Sequence, residues 1–504
     1  MNTVAYRLIL SIRAMIRGVI TLPGKILHSF RHFFGAIRNF FAAFIHHLST
    51  GDLWVKTSLV LCGMGYWGRR QYIKGVVATL LQIIALSLFP TFFLPFLRKF
   101  DTLGDTERQT IFNPETLKNE VNAFDDSFQI LLFGVVGILF LLACLTLYIK
   151  NISWVRALQE KEKTGRHINS FREDLSTLLH EKFHVTLLFL PVLCIVVFSV
   201  VPLLVMILTG FTNYDRFHFP PAKLFTWVGL DNFRAVFENS ITASFGYSFK
   251  KILSWTLLWA FLSTLSTYYG GILLALFINH KKTRLKKLWR TAFIIPIAVP
   301  QFVSLLLVRN FFANTGIVNT LFARWGITEI FQDLGLIAPN AAFIPFLTDP
   351  TWAKAMIILI NMWVGIPYTM LLSTGILLNI PGDLLESAQI DGANAFQRFR
   401  KITMPYIRFV TGPYLISSLI GNINNFNIIY LLTNDIYVTS DQLLANANAR
   451  EVDLLVTWLY RLTQENNNYK MASVLGMAIF LICAFFTLLA FSRLTRENME
   501  ETFQ

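Results

Sequence analysis

The chain has 504 residues, of which 54% are hydrophobic and 15% charged, and its mean hydropathy is +0.52. An ordinary soluble domain carries roughly 25% charged residues, so these figures exclude a disordered chain and a water-soluble globule and indicate a multi-span membrane protein. The formal net charge of +14 fits either nucleic-acid binding or basic cytoplasmic loops, and the placement of the charges decides between them.

In the first 50 residues, Arg7, Arg13, Arg17, Arg31 and Arg38 interrupt a run of Ile, Leu, Phe and Ala. No stretch of membrane length survives there and no small-residue cleavage site follows, so a secretory signal is not expected. Residues 1–70 read as a basic cytoplasmic arm on anionic membrane lipids, its two amphipathic helices broken near Pro23-Gly24. A buried or reentrant arm is the competing reading. The apolar stretch 55–67 is too short to span.

A membrane helix needs roughly 20 mostly apolar residues. By that rule the chain offers eight spans, near 75–97, 128–149, 186–209, 252–278, 292–312, 354–378, 407–432 and 471–492. The predicted fold is therefore all-α and polytopic. Two additional spans fall in 71–185, and a six-span core fills 186–504.

Lys and Arg orient the set. With the N-terminus cytoplasmic, the inside segments hold 27 of the 44 Lys and Arg residues and the outside loops hold 10. The outside loop 98–127 carries seven Asp and Glu, among them Asp125 and Asp126. Both termini are expected inside a plasma membrane, the charge reads as topology, and nucleic acid is not expected as a partner.

Little in the chain suggests bond chemistry. Cys62, Cys144, Cys194 and Cys483 lie far apart and match neither a zinc site nor a disulfide framework. There is no GxxxxGK[ST], HExxH or GxSxG sequence. No Asp or Glu lies inside the spans from 252 onward, which disfavours a proton-coupled carrier. Arg309 sits near an outer span end, where it can snorkel to water. No catalytic residue, metal or cofactor is expected.

Two stretches carry information. The first is 379–406, NIPGDLLESAQIDGANAFQRFRKITMPY. Pro381 and Gly382 end the preceding span, and Asp383 is expected to cap a short helix containing Leu384, Leu385, Ala388 and Ile390. Gly392 breaks that helix, a basic one follows, and Pro405 marks the next membrane boundary. The second is a polar face in spans six and seven. At 100° per residue, Ser418 and Asn425 fall at about −40° and −60° from Asn422, a narrow uncharged stripe. Asn424 and Asn427 lie on the opposite face and read as ties between helices. In span six, Asn361, Gly365 and Tyr368 share a face within about 60°, and Gly365 with Pro367 should loosen the helix. Amides and hydroxyls so placed suit either sugar hydroxyls or interhelical contacts.

The segment Glu386-Ser387-Ala388-Gln389-Ile390-Asp391-Gly392-Ala393, with Phe399, Ile402 and Pro405, resembles the EAA motif of binding-protein-dependent ABC importer permeases. Ser387 stands at the second Ala of the usual pattern. The resemblance implies an ABC type I importer permease fold in which this loop docks on an ATPase subunit, with Glu386, Ala388, Asp391, Gly392 and Ala393 in the coupling role. It extends over most of the chain from about residue 60. The eight spans, the stretch 191–215 and WVGIPYTM at 363–370 are similar to the larger permease of maltose/maltodextrin importers, in the version from Gram-positive bacteria.

That likeness implies an oligosaccharide substrate, a second smaller permease, two ATPase subunits and an extracellular sugar-binding protein. ATP hydrolysis then belongs to the partner subunits, not to this chain. By position, Ser418, Asn422, Asn425, Val364, Gly365 and Tyr368 match sugar contacts. Gly421 stands where the family has an aromatic that stacks on a sugar ring. The outer loop 210–250, only about 40 residues, is too short for the large insert of the enteric subunit. Capture of a binding protein would rest on it and on 313–353 and 433–469. The alternatives are a permease for another oligosaccharide, raffinose-type, or a standalone carrier or channel. A phosphate-bearing substrate is disfavoured, since the polar faces hold no Arg or Lys.

Overall fold

The computed structural model describes residues 51–113, 117–237, 244–280 and 282–501, so the arm expected over 1–50 lies outside the described residues. Among these, eight helices are long and apolar enough to cross a membrane. They are Tyr72–Arg98, Ser127–Lys163, Phe183–Thr209, Ser244–Asn279, Gln301–Arg324, Pro350–Leu378, Ala395–Thr433 and Tyr469–Leu488. Lipid offers no hydrogen bonds, so a spanning backbone must satisfy itself within a helix. The described strands form one antiparallel hairpin, β1 (Thr110–Asn113) with β2 (Lys118–Val121).

The chain divides into two compact units. The first comprises the described residues up to Asp105 and Phe128–Leu203. Its first two spans meet through glycine. A Cβ on Gly137 would lie 3.1 Å from Phe93 Cβ, and one on Gly134 would strike the Phe100 ring. Phe92, Phe96 and Phe133 pack edge-on or tilted around that contact, with ring centroids 5.0–5.7 Å apart. Residues 51–70, grouped with the arm by composition, are fastened to these spans. Tyr148 donates to the Leu59 carbonyl at 2.9 Å and Asn151 to that of Cys62 at 3.2 Å. The buried Arg69 pairs with Asp52 at 2.6 Å and Glu162 at 3.1 Å. The third span exposes Leu187, Phe189, Leu190 and Phe198, as a lipid-facing surface would.

The second unit comprises Thr106–Ser127 and residues from Leu204 onward. Its axis is the fourth span. Gly271 and Gly365 let the fourth and sixth spans approach closely: a Cβ on Gly271 would lie 2.8 Å from the Met370 backbone nitrogen, and one on Gly365 2.8 Å from Thr267 Cγ2. Tyr268 and Thr411 share a hydroxyl hydrogen bond of 2.7 Å, tying the fourth span to the seventh. Trp259, Leu305, Ile357, Ile423, Ile428 and Leu454 form the centre of the largest buried cluster.

Two spans that hydropathy reads as continuous are broken. The stretch 292–312 consists of Lys286–Ala298 and Gln301–Phe312, separated at Val299 and Pro300. Val299 is extended (φ −82°, ψ 127°), as steric conflict with the following proline ring requires. The seventh span divides into Met404–Ile423 and Phe426–Thr433. Arg309 does not snorkel alone: it pairs with Asp435 at 2.6 Å.

Candidate functional site

Two groups of polar residues flank the seventh span, and their geometry separates them. Within the membrane, Asn422 sits at the break. Its side-chain amide donates to Thr264 Oγ1 at 2.9 Å, and its carbonyl accepts from the Trp259 indole at 3.0 Å. Trp259 is fully buried. The fourth span thus holds the Asn422 carbonyl, and Asn425 N–H bonds that same oxygen at 3.2 Å in a tightened turn. Asn422, expected on an open stripe, is therefore also an interhelical tie. Thr264 takes one of the two N–H donors an amide offers.

Asn425 does not continue the helical stripe either. Its backbone leaves the helix (φ −76°, ψ 90°), and its Oδ1 caps the next helix by accepting from Ile428 N–H at 3.4 Å. The expected angle of Asn425 from Asn422 assumed an unbroken helix and fails at this point. Asn424 makes the expected tie, donating to Cys483 Sγ at 3.2 Å.

The open part of the seam lies deeper. Tyr368 is 53% exposed. Its ring centroid is 5.6 Å from that of Tyr414, with the planes tilted by 37°. The Tyr414 hydroxyl meets Thr369 Oγ1 at 3.2 Å, which in turn donates to the Gly365 carbonyl at 3.3 Å. Ser418 is half-buried and Gly421 exposed, and a Cβ on Gly421 would meet nothing within 4 Å. Val364 packs against the buried cluster and Gly365 against Thr267. Of the three span-six candidates, Tyr368 alone thus presents a large open side chain. Sequence reasoning missed Tyr414; its spacing of four and seven from Ser418 and Gly421 was the available signal.

The second group lies beyond the seventh span, in 433–465. Here the polar atoms serve one another. Asp453 is fully buried and pairs with Arg461 Nε at 3.1 Å, while Arg461 Nη1 reaches Glu465 at 3.3 Å. Glu451 accepts from the Tyr437 hydroxyl, the Ser440 and Asp441 N–H groups and the Thr439 and Ser440 hydroxyls. Burial pushes the Glu451 carboxyl up, but these bonds outweigh it and hold it at about 2. Asp441 is likewise opposed by burial and held at about 2 by Lys251 and Tyr247. At the start of the eighth span, Asp215 pairs with Lys470 at 2.7 Å and His218 at 2.9 Å. Burial raises its carboxyl; the bonds from Lys470 and His218 win and bring it to about 2. Tyr214 stacks beside it on Phe225 and Tyr469, at 4.6 and 4.4 Å. This shelf is a framework with its hydrogen bonds closed internally.

The loop between spans six and seven is a third feature. The helix Gly382–Ile390 starts after Pro381, so Asp383 lies in its first turn and is not the cap; there its charge complements the helix dipole. The helix ends in a Schellman turn, with Ala393 N–H on the Ala388 carbonyl at 2.9 Å. Gly392 adopts φ +79°, which favours glycine. Asn394 and Gln397 form a capping box for the next turn, and Arg398 bonds Gln389 Oε1 at 2.8 Å across the bend. Glu386 and Asp391 are exposed, as are Leu384, Ile390 (86%) and Phe396 (67%). A π-helical turn, Phe399–Thr403, carries the chain unbroken into the seventh span.

These features define a polytopic helical membrane protein with an uncharged seam in its core and a structured loop between the sixth and seventh spans. Residues 267–500 match the family described as binding-protein-dependent transport system inner membrane component. The maltodextrin transport system permease protein MalC of Streptococcus pneumoniae is 32% identical over 447 residues, 88% of this chain and 96% of that one. The galactooligosaccharides transport system permease protein GanP of Bacillus subtilis is 32% identical over 428 residues, covering 84% and 93%. The maltose/maltodextrin permease MalF of Klebsiella aerogenes is 34% identical over 260 residues, covering 51% and 46%. A chain of a bacterial ABC transporter involved in the import of the acidic polysaccharide alginate superposes with a TM-score of 0.49 at 23% identity, over 64% of this chain and 98% of that one. The chain belongs to the family of binding-protein-dependent importer permeases.

Proposed function

We propose that the chain is the larger membrane subunit of an ATP-driven importer of malto-oligosaccharides. The observation that carries the substrate class is the neutral seam. Tyrosine faces and a serine hydroxyl line it beside the Asn422 amide, and no charged side chain stands on its stripe. Such groups suit the mixed apolar and hydroxyl surface of a sugar. The identity to MalC across almost its whole length supports maltodextrin as the particular sugar.

In this reading the chain pairs with a second, smaller permease and two ATPase subunits, and an extracellular sugar-binding protein delivers the substrate. Both termini lie in the cytoplasm, as the Lys and Arg bias requires. ATP-driven closure of the ATPases moves the loop 380–405, whose exposed Ile390 and Phe396 are the apolar surface a groove would take. The seam then opens to alternate sides. The chain forms and breaks no covalent bond, and hydrolysis belongs to the ATPases.

Co-reconstitution with the partner subunits should give ATP-dependent uptake of maltodextrins. Uptake by this chain alone without ATP would overturn the reading. Gly392→Pro demands φ near −65° where the chain has +79°; it should abolish sugar-stimulated hydrolysis while the complex still assembles. A second reading, galacto-oligosaccharide transport, is favoured by the equal identity to GanP. Competition between the two sugar classes for uptake decides between them.

A further inference from the structure

Resting on the proposed sugar seam, we infer that Tyr414 is a second stacking residue for the substrate and that the open space at Gly421 sets the length of oligosaccharide accepted. The seam has a floor and an unfilled upper part. Tyr368 lies ten residues before the end of its helix at Leu378, and Tyr414 ten residues after the start of its own at Met404. Both therefore stand about 15 Å from the same ends of their helices. Their rings meet at 5.6 Å, tilted by 37°, so they form one angled apolar surface and not two isolated anchors. The Tyr414 hydroxyl is held by Thr369, a fully buried residue on the sixth span. That bond fixes the ring plane, and a fixed ring loses little freedom when a ligand stacks on it.

Along the seventh span, positions 414, 418 and 421 fall within an arc of about 60° and climb about 10 Å. The stripe runs from an aromatic face to the Ser418 hydroxyl to bare backbone at Gly421. All three lie below the break and after Pro413, whose ring disturbs only the turn preceding it, so they share one face of the helix. Space at Gly421 is open, with nothing within 4 Å of a Cβ built there. A stripe of that length with nothing projecting from its upper end accepts a ligand longer than one pyranose ring. A bulky side chain at 421 would project over the upper part and leave the tyrosine pair untouched.

The test uses the complete reconstituted transporter, with uptake of maltose, maltotriose and maltohexaose measured separately as KM and kcat. Gly421→Phe should raise the KM for maltohexaose about tenfold relative to that for maltose, equivalent to about 1.4 kcal/mol. Tyr414→Ala should raise KM for every sugar about tenfold. Tyr414→Phe, which keeps the ring and loses the bond to Thr369, should stay within about threefold of the native value. An unchanged length profile in Gly421→Phe would overturn the role of position 421. Native uptake in Tyr414→Ala, or equal damage in Tyr414→Phe, would overturn stacking by Tyr414. If Gly421→Phe does not assemble, Gly421→Met probes the same space with a flexible side chain, and the same ratio decides. Failure of the underlying reading has a different signature: Tyr368→Ala would then leave uptake of all three sugars unaltered.

Discussion

The seam and the shelf beyond it are both rich in polar groups, yet they have opposite structures. In the shelf, Glu451 gathers five hydrogen bonds and the buried Arg461 serves Asp453, Glu465 and Asn434. In the seam, Gly421 faces open space and more than half of Tyr368 is exposed. A polar group whose partners lie within the chain holds the fold, because removing one partner strands the other away from water. A polar or aromatic group with an open side is available to a ligand. Asn422 stands between the two, bound to Thr264 on one side and placed on the seam by its position.

The sharpest way to break this contrast is to strand a charge in the shelf. Arg461→Met leaves Asp453 buried without its counter-ion, a loss of about 3–5 kcal/mol. We expect little folded protein by size-exclusion chromatography in detergent, and a normal yield would show that the shelf is not structural. In the seam, Tyr368→Ala should cut sugar uptake about tenfold or more while the melting temperature moves little, since a half-exposed ring gives up less burial. Equal losses of stability and uptake would erase the distinction.

Acid provides an intermediate effect. The Glu451 carboxyl is held at about 2 against an unfolded value of 4.5. Because the folded value is depressed, its stabilisation is complete above about pH 4.5 and is lost as pH falls towards 2. The contribution is about 3 kcal/mol. The melting temperature of the native protein should therefore drop between pH 5 and pH 3 by more than that of Glu451→Gln, and equal drops would refute the cage. The smallest effects test the boundary. Asn422→Ala should cost about 1 kcal/mol through the lost bond to Thr264, whereas Ser418→Ala should cost less than about 0.5 kcal/mol, with both reducing uptake.

Much of this was legible in the sequence. The spans follow from hydropathy because lipid leaves a backbone no alternative to the helix. The bend at Gly392 follows from the glycine, though the Gln389–Arg398 bond across it does not. The seam was only partly legible, since angles at 100° per residue hold only while the helix holds. At the break in span seven, Trp259, far away in sequence, bonds the Asn422 carbonyl. Such a partner has no local signature. Tyr414 was hidden for the opposite reason: an aromatic in an apolar span reads as packing until its neighbour Tyr368 is seen beside it.

The π-helical turn at Phe399–Thr403 has a mechanical consequence. It joins the loop to the membrane with no non-helical residue between them, so Ala395 to Ile423 runs as one helical stretch with Pro413 inside it. Tyr414, Ser418 and Gly421 are mounted on that stretch, and Gln389 is bonded to its foot through Arg398. In the proposed importer, a push on the loop would reach the substrate through a single helical stretch, so that stroke and cargo share the same part.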